Sequence, residues 1–524
     1  MELLFTLFMP LLGAILLLFV NRGAGVLAKT FAFIISAISF LLSLTLYMNF
    51  DHTNPDFQFV TNIPWIGSID AGFRIGIDGM GLLMVMLTTF ITPIALMCSF
   101  DSIKKREKEY YIMVLLLQFA MTGVFISTDL FLFYIFWELI LIPMYFIIGI
   151  WGGKGRLYAT VKFFIFTVVG SLFMLVAIVW LGYYVGTDLL GNSAGFTTDF
   201  VKIRSALETA GMAYEVQKWI FWAFAISFLI KVPLFPLHTW LPDAHTEAPT
   251  PGSVILAGVL LKMGTYGLIR FNLDLFPEAA MANASIISFL AVVGIVYGAI
   301  VAMVQTDIKK LVAYTSVSHL GFVVLGIFSM TNEGIQGAII QSVNHGLSTG
   351  MLFLLIGFIY ERRHTREISD YGGIARVMPA YTVFFGIAMF SSIGLPILNG
   401  FVGEFLTLMG AFKSTVLNNH WYAIIGATGV IFAAIYLLWM FQRVFLGTIT
   451  HEENKSLKDI TKREWAMLVP LVIFIVWLGV YPSTFLKLSD ISTDKLVKKI
   501  ERVEMKTNDN LSDKNLIEYQ SEEN

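Results

Sequence analysis

The chain has 524 residues, 57% hydrophobic and 14% charged, with 46 Phe, a formal net charge of −2 and a mean hydropathy of +0.75; no soluble fold of this length carries such a composition. Its single cysteine, Cys98, excludes an iron–sulfur cluster held by this chain alone and any disulfide within it. There is no phosphate-cradling glycine loop and no dinucleotide fingerprint, so the chain itself is expected to bind no cofactor; no nucleic-acid partner is expected either.

Apolar runs of about 18–25 residues, each able to cross a hydrocarbon core of roughly 30 Å, recur along the chain. They predict an all-α polytopic membrane protein with about fourteen transmembrane helices, rather than a barrel of weakly alternating strands. The first run, 3–20, follows Glu2 with no basic residue before it and no small-residue cleavage site after it, and reads as a retained span rather than a signal peptide. Spans at 27–48 and 79–99 follow, and between them residues 50–78 alternate apolar and polar with Pro, Gly and Asn, which predicts a surface hairpin within an N-terminal unit of 1–109. The next five spans, 110–127, 129–150, 158–186, 217–237 and 252–271, form a first set covering 110–271. A second set, covering 283–446, has spans 283–304, 311–330, 336–360, 378–412 and 421–446.

In each set the fourth span is interrupted, by Pro233 and Pro236 in the first and by Ser391–Gly394, Pro396 and Gly400 in the second. A proline inside a spanning helix frees carbonyls that only protein groups or a wet cavity can satisfy. Two sets of an odd number of spans must run inverted to one another, and inverted repeats with discontinuous helices are how many transporters build ion sites near the midplane. A last span, 465–483, precedes a polar tail, 484–524, expected to be a solvated extension with one amphipathic helix around Leu496–Val503.

Orientation follows from the basic residues. One set of loops holds Arg22, Lys29, Lys104, Lys105, Arg106, Lys108, Lys154, Arg156, Lys309, Lys310, Arg362, Arg363, Arg366, Arg376, Lys455, Lys458, Lys462 and Arg463; the other holds only Arg74, Lys202, Arg204 and Lys413. This places both termini on the outer, periplasmic side of a cell membrane.

Six ionisable residues fall near mid-span: Glu138, Lys231, Lys262, His319, His345 and Glu404. A lysine near a bilayer centre costs between about 2.5 and well over 10 kcal/mol, so such groups face protein or water and mark ion or proton paths. A relay needs groups whose proton affinity can be swung. Desolvation lowers a lysine's pKa by up to about 3–5 units and an adjacent carboxylate restores it, while histidine titrates near neutrality unaided. Glu138 beside Lys231 is expected to hold that lysine charged until the two separate. A single intramembrane histidine is as readily a packing residue, but six ionisable groups at one depth, two of them beside broken helices, favour a proton row. Lys162, Lys218, Arg270 and Arg443 lie near span ends and are expected to snorkel.

The loop from His238 to Glu247 offers His238, Asp243, His245 and Glu247 without a lysine or arginine. These are suitable metal ligands, but their spacing matches no metal signature, and a polar cytoplasmic mouth for protons is preferred.

The core HTWLPDAHTEAPTPGS, with AYTSVSHLGF around His319, NHGL at His345 and GLPILNGFVGEF around Glu404, resembles the antiporter-like proton-pumping subunits of respiratory complex I, themselves similar to subunits of multisubunit cation/proton antiporters. The resemblance covers roughly residues 70–450. Glu404, where the L- and N-type subunits and antiporter relatives usually carry lysine, and the lack of a long lateral helix bring the chain nearest the M-type. The resemblance implies that Glu138 and Lys231 are the coupling pair, Lys262, His319 and His345 the central relay, and Glu404 the terminal residue. It also implies that NADH, FMN, iron–sulfur clusters and quinone belong to partner subunits, with L-type and N-type neighbours in the membrane and a peripheral NADH-oxidising arm. The rivals are a redox-independent cation/proton antiporter subunit, the membrane arm of a hydrogenase, and a structural scaffold.

Overall fold

The computed structural model describes residues 1–191 and 195–522, with the side chains of the last helix as far as Lys506. Two apolar helices, α1 (Glu2–Leu18) and α2 (Gly25–Asn49), precede an antiparallel hairpin of β1 (Gln58–Ile66) and β2 (Ala71–Ile77). Then come α3 (Gly79–Ser102), α4 (Glu107–Ile126), α5 (Leu130–Leu139), α6 (Leu141–Trp151), α7 (Arg156–Tyr184), α8 (Phe200–Ala210) and α9 (Tyr214–Lys231). Beyond the first break lie α10 (Trp240–Glu247) and α11 (Thr250–Ile255), which runs through a π turn (Leu256–Leu260) into α12 (Leu261–Gly267) and a second π turn (Leu268–Leu273). The rest is α13 (Pro277–Met303), α14 (Ile308–Phe328), α15 (Asn332–Arg363), α16 (Pro379–Ile393), α17 (Asn399–Lys413), α18 (Trp421–Phe445), α19 (Lys462–Val480) and α20 (Ser483–Glu522).

Eleven of these stretches among the described residues are long and apolar enough to cross a membrane, with α1 and α16 as shorter apolar helices. Three expected spans depart from that standard: 3–20 is the short α1, 217–237 stops as a helix at Lys231, and 378–412 is split into α16 and α17. The expected 129–150 span is also interrupted, between α5 and α6, because Pro143 has no N–H for the Leu139 carbonyl. The stretch 238–247, expected as a loop, is mainly the helix α10.

The apolar stretches of 250–273 and α15, which carry Lys262 and His345, are wholly buried, whereas those of α2, α18 and α19 are one-third buried and turn apolar side chains outward. In the absence of water, burial of that kind rests on close packing and on satisfying every polar group. Polar helix ends are accordingly capped by side chains: Asp78 accepts from Gly81 N, Asp129 from Phe131 and Leu132 N, Asp199 from Val201 N, and Asp307 from Lys309 and Lys310 N.

Two loop-assigned charges are buried instead. Arg74 of β2 reaches Asp70 and Asp129 at 2.7 Å each and Asp199 at 3.3 Å, tying the hairpin to the first turns of α5 and α8. Burial works against the Asp70 carboxylate, but bonds from Lys202, Thr197 and Arg74 hold it below the ordinary carboxylate range. Lys309 is only 5% exposed.

The tail corrects a further expectation. It is a continuous helix rather than a mostly solvated extension, and Phe485, Leu488, Ser489, Thr493, Val497 and Ile500 form a buried stripe at helical spacing. It packs on α3, α13 and α15. Polar ties add to this: Lys495 to Asp56, and Lys499 to both Glu208 and Asp274, all at 2.7 Å.

Candidate functional site

The first break follows from its prolines. Pro233 cannot donate to Leu229 O, which accepts instead from Leu234 N at 2.9 Å. That shift releases Ile230 O, and the Trp240 indole donates to it at 2.9 Å. The break is therefore closed by protein groups, and it leaves Lys231 as the last helical residue of α9, 1% exposed.

Lys231 Nζ lies 5.6 Å from the Trp137 ring centre and 5.4 Å from that of Phe163, an aromatic enclosure that suits a cation. Glu138 acts on it electrostatically, but the two do not form the close pair expected from sequence. Neither Lys231 Nζ nor Glu138 Oε1 has a hydrogen-bond partner among the described residues.

The second lysine sits after a π turn, a rare insertion that recurs at functional sites. Lys262 is fully buried, donates to Ala257 O, and lies with Nζ 2.7 Å from His345 Nδ1. His319 Nδ1 lies 2.8 Å from Glu404 Oε1, and the two histidine rings are 6.1 Å apart between centres. Four of the six expected residues thus join as two contacting pairs, Lys262–His345 and His319–Glu404. His319 Nε2, His345 Nε2 and Asn344 Oδ1 have no partner among the described residues, and their residues line a cavity of about 10 Å³ together with Gln341, Ser348 and Glu404. That is about the room one water requires, in a polar setting that could hold it.

The second break sets Glu404. The α16 helix ends on Gly394 at φ +81°, and Ile397, a β-branched residue, also takes positive φ at 82°. A Cβ on Gly394 would lie 2.8 Å from Glu404 Oε2, and one on Gly400 would lie 1.9 Å from Ser391 O, so both positions need a bare Cα for the chain to turn tightly around the carboxylate. On α15, Gln341, Asn344, His345 and Ser348 recur at the spacing of one helical face. Gln341 Nε2 donates to Glu404 Oε1 at 3.1 Å, and Asn344 Nδ2 to Asn399 O at 2.6 Å. Ser348 reaches Ser391 at 2.6 Å and Asn399 Oδ1 at 3.2 Å, and Ser391 also donates to Asn399 Oδ1. Sequence reading missed this neutral network; its signal was the polar periodicity of QSVNHGLS.

The residues of 238–247 are dispersed. Asp243 pairs with Lys162 at 2.7 Å, Glu247 Oε2 accepts from Gly155 N at 2.8 Å, and His238 stacks on Phe235. His245 lies flat on Phe353 at 4.6 Å, with both ring nitrogens unpartnered among the described residues. Among the described residues no group of three or more His, Cys, Asp or Glu could hold a metal ion. Nor do Lys162 and Arg270 snorkel: Lys162 is in that pair, and Arg270, 8% exposed, bonds Asp78 at 2.5 Å and Tyr266 Oη at 3.2 Å. Paired carboxylates were available inside the bundle, and a buried guanidinium without one would be far costlier.

A family model described as NADH:quinone oxidoreductase/Mrp antiporter, TM, matches residues 127–435. NADH-quinone oxidoreductase subunit M of Rhodobacter capsulatus is 45% identical over 495 residues, 94% of this chain and 95% of that protein. A chain in the structure of respiratory complex I from Thermus thermophilus with bound NADH superposes with a TM-score of 0.84 at 31% identity, covering 95% of this chain and 100% of that one. A chain of the Mrp complex from Dietzia sp. DQ12-45-1b shares the fold, with a TM-score of 0.77 at 21% identity, over 96% of this chain and 55% of that one.

Proposed function

This chain belongs to the antiporter-like membrane subunits of the NADH:quinone oxidoreductase and Mrp antiporter family, and from that membership we propose that it is the proton-translocating M-type subunit of a bacterial complex I. In this reading NADH, FMN, iron–sulfur clusters and quinone are held by partner subunits, and this chain, beside L-type and N-type neighbours, supplies a path for protons driven by their redox chemistry. The observation that carries the proposal is the pair of contacts Lys262–His345 and His319–Glu404, buried at a helix break.

Protonation of Glu138 or its displacement from Lys231 changes the cost of holding a charge on that lysine, and the change passes to Lys262. A proton leaving Lys262 for His345 crosses to His319, with a water in the small cavity as the bridge, and reaches Glu404. Each pKa unit of such a swing is about 1.4 kcal/mol, and moving one charge through 100 mV takes about 2.3 kcal/mol, so a swing of about two units matches the work. The excess of lysine and arginine in one set of loops supports a multi-pass placement in the inner membrane with both termini outside. The breaks after Lys231 and before Glu404 support about fourteen spans in two inverted sets, 110–271 and 283–446. His238, Asp243, His245 and Glu247 then lie towards the cytoplasmic mouth.

The reading is tested in the intact complex in sealed vesicles with Lys262→Met and Glu404→Gln. Both should lower NADH-driven proton translocation severalfold while the complex still assembles. An unchanged proton-to-electron ratio in both would overturn it.

A further inference from the structure

We propose that Lys309 is the residue that loads protons from the cytoplasmic side onto His245, and that His245 hands them to the Lys262–His345 pair. The inference rests on the reading above and adds an inlet to it. Lys309 is the second residue of α14, and its Nζ donates to Ala248 O at 2.5 Å. That carbonyl lies one residue beyond α10, three residues after His245. The charged and titratable groups facing Lys309 are Arg366, Asp307, Glu247 and the Cys98 thiol.

Both carboxylates act on it electrostatically, but neither forms an ion pair with Lys309 among the described residues. Asp307 caps α14 with Oδ1 and pairs with Arg366 through Oδ2 at 3.1 Å, and Glu247 accepts from Gly155 N. The Lys309 amine thus has one fixed acceptor, a carbonyl, for up to three hydrogens. It also sits where the dipole of α14 presents its positive end. This is the setting of a group that gives a proton away, not of an ion locked in a structural pair. Arg366, which cannot deprotonate, donates to Thr246 O at 2.5 Å, so the two cations grip the last turn of α10 on either side of the same segment.

His245 supplies the other half. It is fully buried, and neither ring nitrogen has a partner among the described residues. A buried polar atom left unpaired is costly, and in a native fold it calls for a reason. Its electrostatic partners are Lys309 and Lys262, and His345 in turn feels His245. In the step proposed, the neutral amine of Lys309 takes a proton from cytoplasmic water. The N–H bond then breaks at Nζ and forms at one nitrogen of His245, giving an imidazolium. The opposite nitrogen releases its proton to the Lys262–His345 pair, leaving neutral imidazole and a neutral amine ready to reload.

The test uses the intact complex in sealed vesicles with Lys309→Arg, Lys309→Met and Lys309→His, assembly being read by co-purification of the other subunits. Arginine keeps the charge and the bond to Ala248 O but cannot release a proton. Proton translocation should therefore fall at least tenfold in Lys309→Arg as in Lys309→Met, whereas a structural lysine would leave Lys309→Arg near the native rate. Lys309→His, which can load and release, should restore part of the rate with its pH profile moved towards acid. A native rate in Lys309→Arg, or an unshifted profile in Lys309→His, overturns the inlet. If Lys262→Met and Glu404→Gln also translocate normally, the relay itself is at fault; if they do not, only the inlet falls.

Discussion

Gly400 shows how narrowly the site is built at the level of single residues. A methyl group there would meet Ser391 O at 1.9 Å, a backbone atom that cannot move aside as a side chain could. Gly400→Ala should therefore displace α17 and Glu404 with it, lowering proton translocation severalfold and the melting temperature of the purified complex; native values of both would show that the turn is not constrained as described. Asn399 is a second such residue. Its side chain accepts from Ser348 and Ser391; in Asn399→Leu the two hydroxyls keep only each other and one buried O–H is left without an acceptor at about 1–3 kcal/mol, measurable as a lower unfolding midpoint. Gly400 was legible in the sequence as part of a helix break, but Asn399 and its two serines were not. Lys262, His345 and Glu404 stood out because a charge in hydrocarbon is expensive enough to need a reason, whereas asparagine and serine are ordinary in packed membrane helices. Lys162 and Arg270 were misread because span-end position does not reveal that Asp243 and Asp78 come to meet them.

Among the elements, the breaks were the readable part and their closure was not. Pro233, Pro236 and Pro396 announce interruptions through chemistry that any proline carries; that Trp240 would satisfy Ile230 O depends on where α10 folds back. The hairpin gives a testable case. Arg74 serves three carboxylates, and removing it leaves Asp129 and Asp199 buried without their cation, whereas Asp70 keeps Lys202. Losing one partner of a buried ion pair costs about 3–5 kcal/mol, so Arg74→Met should sharply lower the thermal stability of the complex, and a native melting curve would refute the role assigned to the cluster. The depressed Asp70 carboxyl adds a sign. Its contribution is complete above its ordinary value of 3.8 and is lost as pH falls through the lower folded value, so stability over the neutral range should not depend on this group.

At the scale of the whole molecule, α20 binds regions far apart in sequence. Lys499 joins Glu208 of α8 and Asp274, the residue after the second π turn, to the C-terminal helix. Lys499→Met should loosen this attachment, detectable as faster amide exchange along 483–506 and increasingly masked at high salt, which screens part-exposed pairs; unchanged exchange would mean that the apolar stripe holds the helix alone. Sequence reading recognised only a short piece of α20 because its mean polarity hides a stripe of small and medium apolar residues. Of the six ionisable groups expected near mid-span, Lys262 meets His345 and His319 meets Glu404, while the π turn that precedes Lys262 is announced by no residue pattern.

Ile397 leaves one more consequence. A β-branched residue at φ 82° holds the loop ahead of Glu404 in a shape the backbone would leave if it could, at a cost of about 1–3 kcal/mol. The outward side chain, 68% exposed, contributes little burial to offset that cost. The strain is therefore concentrated in the segment beside the last carboxylate, and the fold around it bears the cost.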